Sequence, residues 1–280
     1  MKYRYYGTAA GEGIPALWCE CDVCNRAREK GGRNIMTRSQ QLIDDKILID
    51  FSSDTYTHCI QGLPLTKIRT CILTHSHADH LYAADINNRL SHFAHMKEES
   101  TFNVYSMRPG IEEIERKLEE GHRSKTPDRV HLHEIVPFES FEAEGYKITP
   151  LKADHTQASG CVLYLIEKDG KCVFQVNDTG YLPDETWEYL ENYKGKLNFV
   201  TFDSTETGRA NDNNRHPHHM NLATCCSVRD RLKGIGIAND DTIFVLNHFS
   251  HNGQYIYDEL VEVGEKEGFL VSYNGLEVEF

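Results

Sequence analysis

The stretch Thr74-His75-Ser76-His77-Ala78-Asp79-His80 decides how this 280-residue chain is read. It sets three imidazoles and a carboxylate into six positions, directly after the apolar, strand-like segment Cys71-Ile72-Leu73. Neutral imidazole and carboxylate together suit zinc, manganese or iron, and the pattern H-x-H-x-D-H is dense enough to be a ligand loop. A chain with 15 histidines also gathers some in solvated loops, and His216, His218 and His219 in their Asn/Asp-rich surroundings fit that description. The strand before the His75 run and the helix-like segment after it argue for ligands there.

Working outward, Gln40-Ile43 and Lys46-Phe51 are apolar runs meeting at Asp44-Asp45, and Val162-Glu167 meets Lys171-Val176 at Asp169-Gly170; both read as antiparallel strand pairs. Helical patterns cover Asp79-Leu90, Gly110-Glu120, Pro183-Asn192, Asn221-Lys233 and Tyr255-Glu267. Strands are expected at Tyr146-Lys152, Asn198-Asp203 and Thr242-Leu246, and a last hairpin is expected from Phe269-Ser272 and Leu276-Phe280 around Asn274-Gly275. Strand pairs followed by strand-helix alternation, given twice, suit an α/β (α+β) αββα sandwich of two mixed sheets flanked by helices. With no linker, repeat or low-complexity segment, residues 1–280 read as one domain with loop insertions.

Thirty basic against 43 acidic residues give a net charge of −13, which disfavours an extended nucleic-acid surface but not a small anionic substrate, because bound divalent ions dominate their local field. The start Met1-Lys2-Tyr3-Arg4-Tyr5-Tyr6-Gly7 lacks the apolar core of an export signal, and no run approaches the roughly 18 apolar residues of a membrane span. A cytoplasmic protein without membrane partners is expected. Nine cysteines without an export signal point to free or metal-bound thiols rather than disulfides. Cys19-x-Cys21-x-x-Cys24 in particular suggests a structural zinc, the competing reading being free or redox-active thiols. Gly7, Gly11 and Gly13 lack the full dinucleotide spacing and are read as a tight turn with no cofactor.

The four residues of the His loop cannot complete two metal shells. Three further candidates stand at strand ends: His155 after Lys152, Asp178 after Val176 and His248 after Asn247. Each alone is an ordinary polar residue closing a strand, and their shared position strengthens the joint case.

With these residues the chain resembles the metallo-β-lactamase superfamily, whose signature loop is matched by His75, His77, Asp79 and His80. The resemblance implies the metallo-β-lactamase fold, with His75, His77 and His155 on one ion, Asp79, His80 and His248 on a second, and Asp178 bridging both. Lactam-cleaving members usually carry Cys where this chain has Asp178. The glycine-rich start, the cysteine cluster and the His248-x-x-His251 ending are similar to the PhnP-like branch, which implies His251 as fourth ligand of the structural zinc. It also implies a manganese or zinc pair in the active site and a proton-donating histidine before the helix at Asn221, best matched by His219 within the group His216, His218 and His219.

The expected function is therefore a metal-dependent phosphodiesterase. Its expected substrate is a small phosphate diester, cyclic ones included, attacked by a hydroxide that the two ions activate, with Asp79 as ligand and His219 as general acid. A homodimer is compatible with this reading. The rivals are a glyoxalase-type thioesterase, a tRNA 3′-processing nuclease and, in another class, a metal-binding cofactor-pathway protein without hydrolytic activity.

Overall fold

The computed structural model describes residues 1–90, 93–120, 129–209 and 217–280. Among these residues two seven-stranded sheets face each other. The first runs, edge to edge, through β14 (Glu277–Glu279), β1 (Lys2–Gly7), β2 (Gln40–Ile43), β3 (Ile47–Ile49), β4 (Thr70–Ile72), β5 (Phe102–Ser106) and β6 (Val130–Glu134). The second runs through β13 (Leu270–Val271), β12 (Ile243–Asn247), β11 (Phe199–Asp203), β10 (Lys171–Val176), β9 (Val162–Lys168), β8 (Tyr146–Lys152) and β7 (Phe141–Ala143). Each sheet mixes parallel and antiparallel pairs.

The strand sequences explain the layering. Ile47 and Ile49 point into the space between the sheets, where Tyr3, Ile72, Tyr164, Val173, Phe199 and Val245 join them, while Leu48 between them points outward. Because both faces are covered, the strands are apolar on alternate sides without a polar face. Outside the first sheet, Leu48, Cys71 and Val104 pack under α3 (Ala83–Asn87) and α4 (Arg108–Glu120) through Ile86 and Ile114. Outside the second, Leu165, Phe174, Phe202 and Leu246 pack under α5 (Asp184–Asn192), α6 (Leu222–Gly234) and α7 (Tyr257–Lys266) through Trp187, Leu232 and Leu260. The expected αββα sandwich of two mixed sheets is the observed architecture.

Two expected elements differ. The terminal Phe269-Ser272 and Leu276-Phe280 segments do not form a hairpin: β13 pairs parallel with β12, whereas β14 pairs antiparallel with β1 in the other sheet. The Asn274-Gly275 turn, with Gly275 at φ 98°, carries the chain from one sheet to the other. The helix expected over Asp79-Leu90 begins only at Ala83. Residues 77–80 form a turn, in which the N–H groups of His80 and Leu81 both bond the His77 carbonyl. A regular helix spreads neighbouring side chains around its axis and would not converge this loop's side chains on one rim. Two helices and three strands escaped the sequence reading: α1 (Asp22–Lys30), α2 (Thr55–Ile60), β5, β6 and β7.

β8 and β10 run in the same direction, both antiparallel to β9, and β10, β11 and β12 are mutually parallel. Their carboxyl ends therefore share one rim of the second sheet. Across the sandwich, parallel β3 and β4 deliver the His loop to the same place. No helix among the described residues is long and apolar enough to cross a membrane.

Candidate metal centre

Residues from six strand ends converge at this rim. His75, His77 and His155 bring ligand nitrogens within 4.8 Å of one another, as do the ligand atoms of Asp79, His80, Asp178 and His248. His75 Nε2 lies 2.9 Å from His77 Nδ1, which lies 3.3 Å from His155 Nε2. His80 Nε2 lies 3.2 Å from His248 Nε2. Asp178 sits between the groups: its Oδ2 is 3.2 Å from His75 Nε2 and 2.8 Å from His80 Nε2, and its Oδ1 is 2.8 Å from His248 Nε2. Asp79 Oδ2 is 3.1 Å from His80 Nε2. The seven residues read from the sequence are thus gathered in one place.

The donor set fits divalent cations. Imidazole nitrogens on a tetrahedral zinc, with bonds of about 2.0–2.1 Å, stand about 3.3 Å apart, close to the separations here. Burial pushes the His75 and His155 imidazoles below their ordinary range, which leaves them neutral with a lone pair to give. Burial opposes the charge of Asp178, yet His248 and His80 outweigh it and hold its carboxyl well below the usual range. The carboxylates Asp178, Asp79 and Asp50 likewise outweigh burial at His80 and drive its pKa well up, so the site calls for positive charge. Asp178 Oδ1 is also buried and, among the described residues, accepts no well-aligned hydrogen bond.

The backbone is bent to serve this arrangement. Asp50 and His248, each next after a strand, and Asp178, two residues past β10, have φ of 65°, 60° and 55°, a region that costs a non-glycine residue of order 1 kcal/mol or more. Such turns swing the side chain off the end of the strand toward the rim.

A further set of residues orients these side chains. Buried Asp50 receives the Thr74 N–H at 2.7 Å through Oδ1 and lies 2.7 Å from His80 Nδ1 through Oδ2, so Nε2 is left to face the centre. His248 Nδ1 lies 2.8 Å from Thr205 Oγ1, whose hydroxyl donates to the His248 carbonyl at 2.9 Å. His155 Nδ1 donates to the His218 carbonyl at 3.2 Å. Asp50, Thr74 and Thr205 were not identified as orienting groups from sequence; Asp50 fell inside the run Lys46-Phe51, whereas β3 ends at Ile49.

His219 lines the same cleft, a space of about 230 Å³ bounded also by Glu12, Asp79, Asp178, Thr205 and Asn252. Its Nδ1 donates to Asp203 Oδ2 at 2.8 Å. Burial opposes charge on His219, but Asp203 outweighs it and raises the pKa to about 9. Asp203, His219, Asp178 and His248 also place ligand atoms close together. Asp203 is already engaged, however, accepting N–H groups of Thr205 at 2.9 Å and Thr179 at 3.2 Å besides His219, so it supports His219 instead of facing the cleft. The His218 ring is half exposed, 3.9 Å from Asp154, and His216 lies outside the described residues.

The second cluster is equally compact. Cys19, Cys21, Cys24 and His251 bring their ligand atoms within 4.8 Å of one another, with His251 Nδ1 at 3.4 Å from Cys19 Sγ and 3.3 Å from Cys21 Sγ. Thiolate and imidazole on one tetrahedral zinc stand about 3.6 Å apart. Main-chain N–H groups of Cys21 and Ala16 point at Cys19 and Cys24, the kind of donation that supports thiolate. Burial, joined by the neighbouring Cys19 and Cys21 sulfurs, drives the Cys24 thiol up to about 12, so a cation is what would displace its proton.

The model of the beta-lactamase superfamily domain matches residues 46–249. No curated protein matches the chain. Among solved structures, a diphosphatase from the PhnP family superposes with a TM-score of 0.72 at 22% identity, covering 100% of this chain and 97% of that one. Zinc-bound PqqB from Methylobacterium extorquens gives 0.69 at 18% identity, with 100% of both chains covered. The short form of human tRNase Z gives 0.67 at 14%, covering 100% of this chain and 99% of that one.

Proposed function

The chain belongs to the metallo-β-lactamase superfamily of metal-dependent hydrolases, and from that premise we propose that it is a phosphodiesterase using two divalent cations, manganese or zinc, on a small anionic diester. The observation that carries this reading is Asp178, which lies between the two groups of imidazoles: its Oδ2 is 3.2 Å from His75 Nε2 in one and 2.8 Å from His80 Nε2 in the other, and its Oδ1 is 2.8 Å from His248 Nε2. His75, His77 and His155 would hold one cation, Asp79, His80 and His248 the other, and Asp178 both. Such a pair supplies Lewis acidity toward a phosphoryl oxygen and a water acidic enough to ionise near neutral pH.

The chain's own residues do the rest. Asp50 and Thr205 fix the ring orientation of His80 and His248, so the donor set is formed before substrate arrives. His219, kept protonated by Asp203, presents its other nitrogen to the cleft and donates a proton to the departing oxygen. The cleft volume of about 230 Å³ suits a small diester better than a polymer. A net charge of −13 adds to the case against an RNA substrate. We further take the cysteine cluster as a structural zinc site that takes no part in the chemical step.

The test is to assay the purified chain with manganese or zinc on bis-p-nitrophenyl phosphate, cyclic nucleotides, a diphosphate ester and a glutathione thioester. Diester hydrolysis is expected. Diphosphate cleavage alone would move the substrate toward that of the PhnP-family neighbour, and thioester cleavage alone would replace the proposal with a glyoxalase-type activity.

A further inference from the structure

The two clusters are not independent. Glu12 lies in the glycine-flanked segment after β1, a stretch that the sequence reading left without a role. The loop is pinned between strands: the Phe249 N–H bonds the Thr8 carbonyl at 2.8 Å and the Ala10 N–H bonds the Phe249 carbonyl at 2.8 Å. Gly11 then packs against Asp79, where an added Cβ would stand 3.2 Å from Oδ2. This delivers Glu12 to the wall of the hydrolytic cleft.

There its carboxylate meets the other cluster. The Ser250 hydroxyl donates to Glu12 Oε1 in a short hydrogen bond, and accepts the Asn252 N–H at 3.0 Å, so its single proton is committed to Glu12. His251 Nε2 lies 3.5 Å from the same Oε1, while its Nδ1 faces Cys19 and Cys21. A carboxylate beside the far nitrogen of a ligating imidazole fixes its tautomer and aims its lone pair, and removing such a partner typically costs about 10–100-fold in metal affinity.

We propose that Glu12 is a positioning residue shared by both sites: it aims His251 at the thiol cluster, anchors Ser250 between His248 and His251, and forms part of the cleft wall. His248 and His251 stand on one short segment, so the ion at the thiols and the Glu12 carboxylate together set where His248 enters the hydrolytic centre. The thiol cluster thereby acts on the cleft as well as on the N-terminal loop. The proposal rests on the reading of Cys19, Cys21, Cys24 and His251 as a zinc site, and not on any turnover.

The experiment uses the full chain loaded with zinc, with Glu12→Ala, Glu12→Gln and Ser250→Ala as variants. Zinc release to a chromophoric chelator, thiol reactivity toward a disulfide reagent, and kcat and KM on bis-p-nitrophenyl phosphate are each measured. Glu12→Ala is expected to release the thiol-held zinc about 10–100-fold more readily and to expose the thiols in step. Glu12→Gln keeps an acceptor oxygen and is expected to recover most of the zinc affinity, with a raised KM as the mark of an altered wall. Ser250→Ala keeps Glu12 itself and is expected to lie between them, and it reads the same relay if Glu12→Ala fails to fold. Zinc retention and thiol protection equal to wild type in Glu12→Ala, or in Ser250→Ala where Glu12→Ala is insoluble, would overturn the proposal. So would a wild-type chain that takes up no zinc at its thiols. Loss of zinc affinity in a chain inactive on every ester would sustain it while sinking the phosphodiesterase reading.

Discussion

At the scale of single residues, the orienting groups matter as much as the ligands. Asp50 is fully buried and holds both the start of the ligand loop, through Thr74, and the ring of His80. Asp50→Ala should lower metal affinity and kcat by about 10–100-fold, read by metal titration alongside steady-state kinetics. Unchanged affinity would mean that packing alone sets the His80 ring. His219 makes a sharper prediction through leaving-group chemistry. A nitrophenolate departs without help, whereas an alkoxide needs a proton, so His219→Ala should cost about 10²–10⁴-fold on an alkyl diester and far less on bis-p-nitrophenyl phosphate. Equal losses on both substrates would remove His219 from the role of acid.

At the scale of elements, the sequence was most informative where a strand has two covered faces. The runs at β8, β9, β10 and β12 were readable because alternation leaves no polar side to confuse the pattern, and His155, Asp178 and His248 stand beyond the ends of β8, β10 and β12. β5 and β6 were harder: Asn103, Tyr105, His131 and His133 interrupt the apolar run near the open edge of the first sheet, where the pattern loses contrast. The terminal hairpin was misread because Asn274-Gly275 is a genuine turn whose partners lie in different sheets, a long-range fact that no local pattern carries. Motif spacing found His75, His77, Asp79 and His80, and strand-end position found His155, Asp178 and His248, yet neither found Asp50, Thr205, Asp203 or Glu12, whose roles exist only through contacts made across the fold.

The docking of α2 offers an element-scale prediction. Its His58 is buried between Gln40 Oε1 at 2.6 Å and Thr37 Oγ1 at 2.7 Å, and burial lowers its pKa from 6.5 to about 4. The unfolded chain therefore takes the proton first. Stability held above pH 6.5 should drain away as pH falls toward 4, by about 3 kcal/mol in full. Urea unfolding at pH 7 and pH 4.5 should show the wild type losing about 2 kcal/mol more than His58→Gln. Equal losses would show that His58 is protonated as easily in the fold as outside it.

At the scale of the whole molecule, the sandwich brings chain-distant groups to one rim. The first sheet contributes the His loop and Asp50, and the second contributes His155, Asp178, Asp203 and His248, so the centre exists only when both sheets have paired. Metal binding would then be coupled to folding, because a cation would meet its donors only in the folded sandwich and have no preformed site in the unfolded chain. β1 and β14 close the first sheet with the two ends of the chain, and the N-terminal amine donates to the Phe280 carbonyl at 2.9 Å.

The most direct test is elemental analysis of the purified chain after loading and desalting. About three divalent ions per chain are predicted, falling by one in Cys21→Ser and by up to two in Asp178→Ala with the fold retained by circular dichroism. A count of one or none in the wild type, or an Asp178→Ala chain that keeps every ion, would contradict a carboxylate shared between two cations.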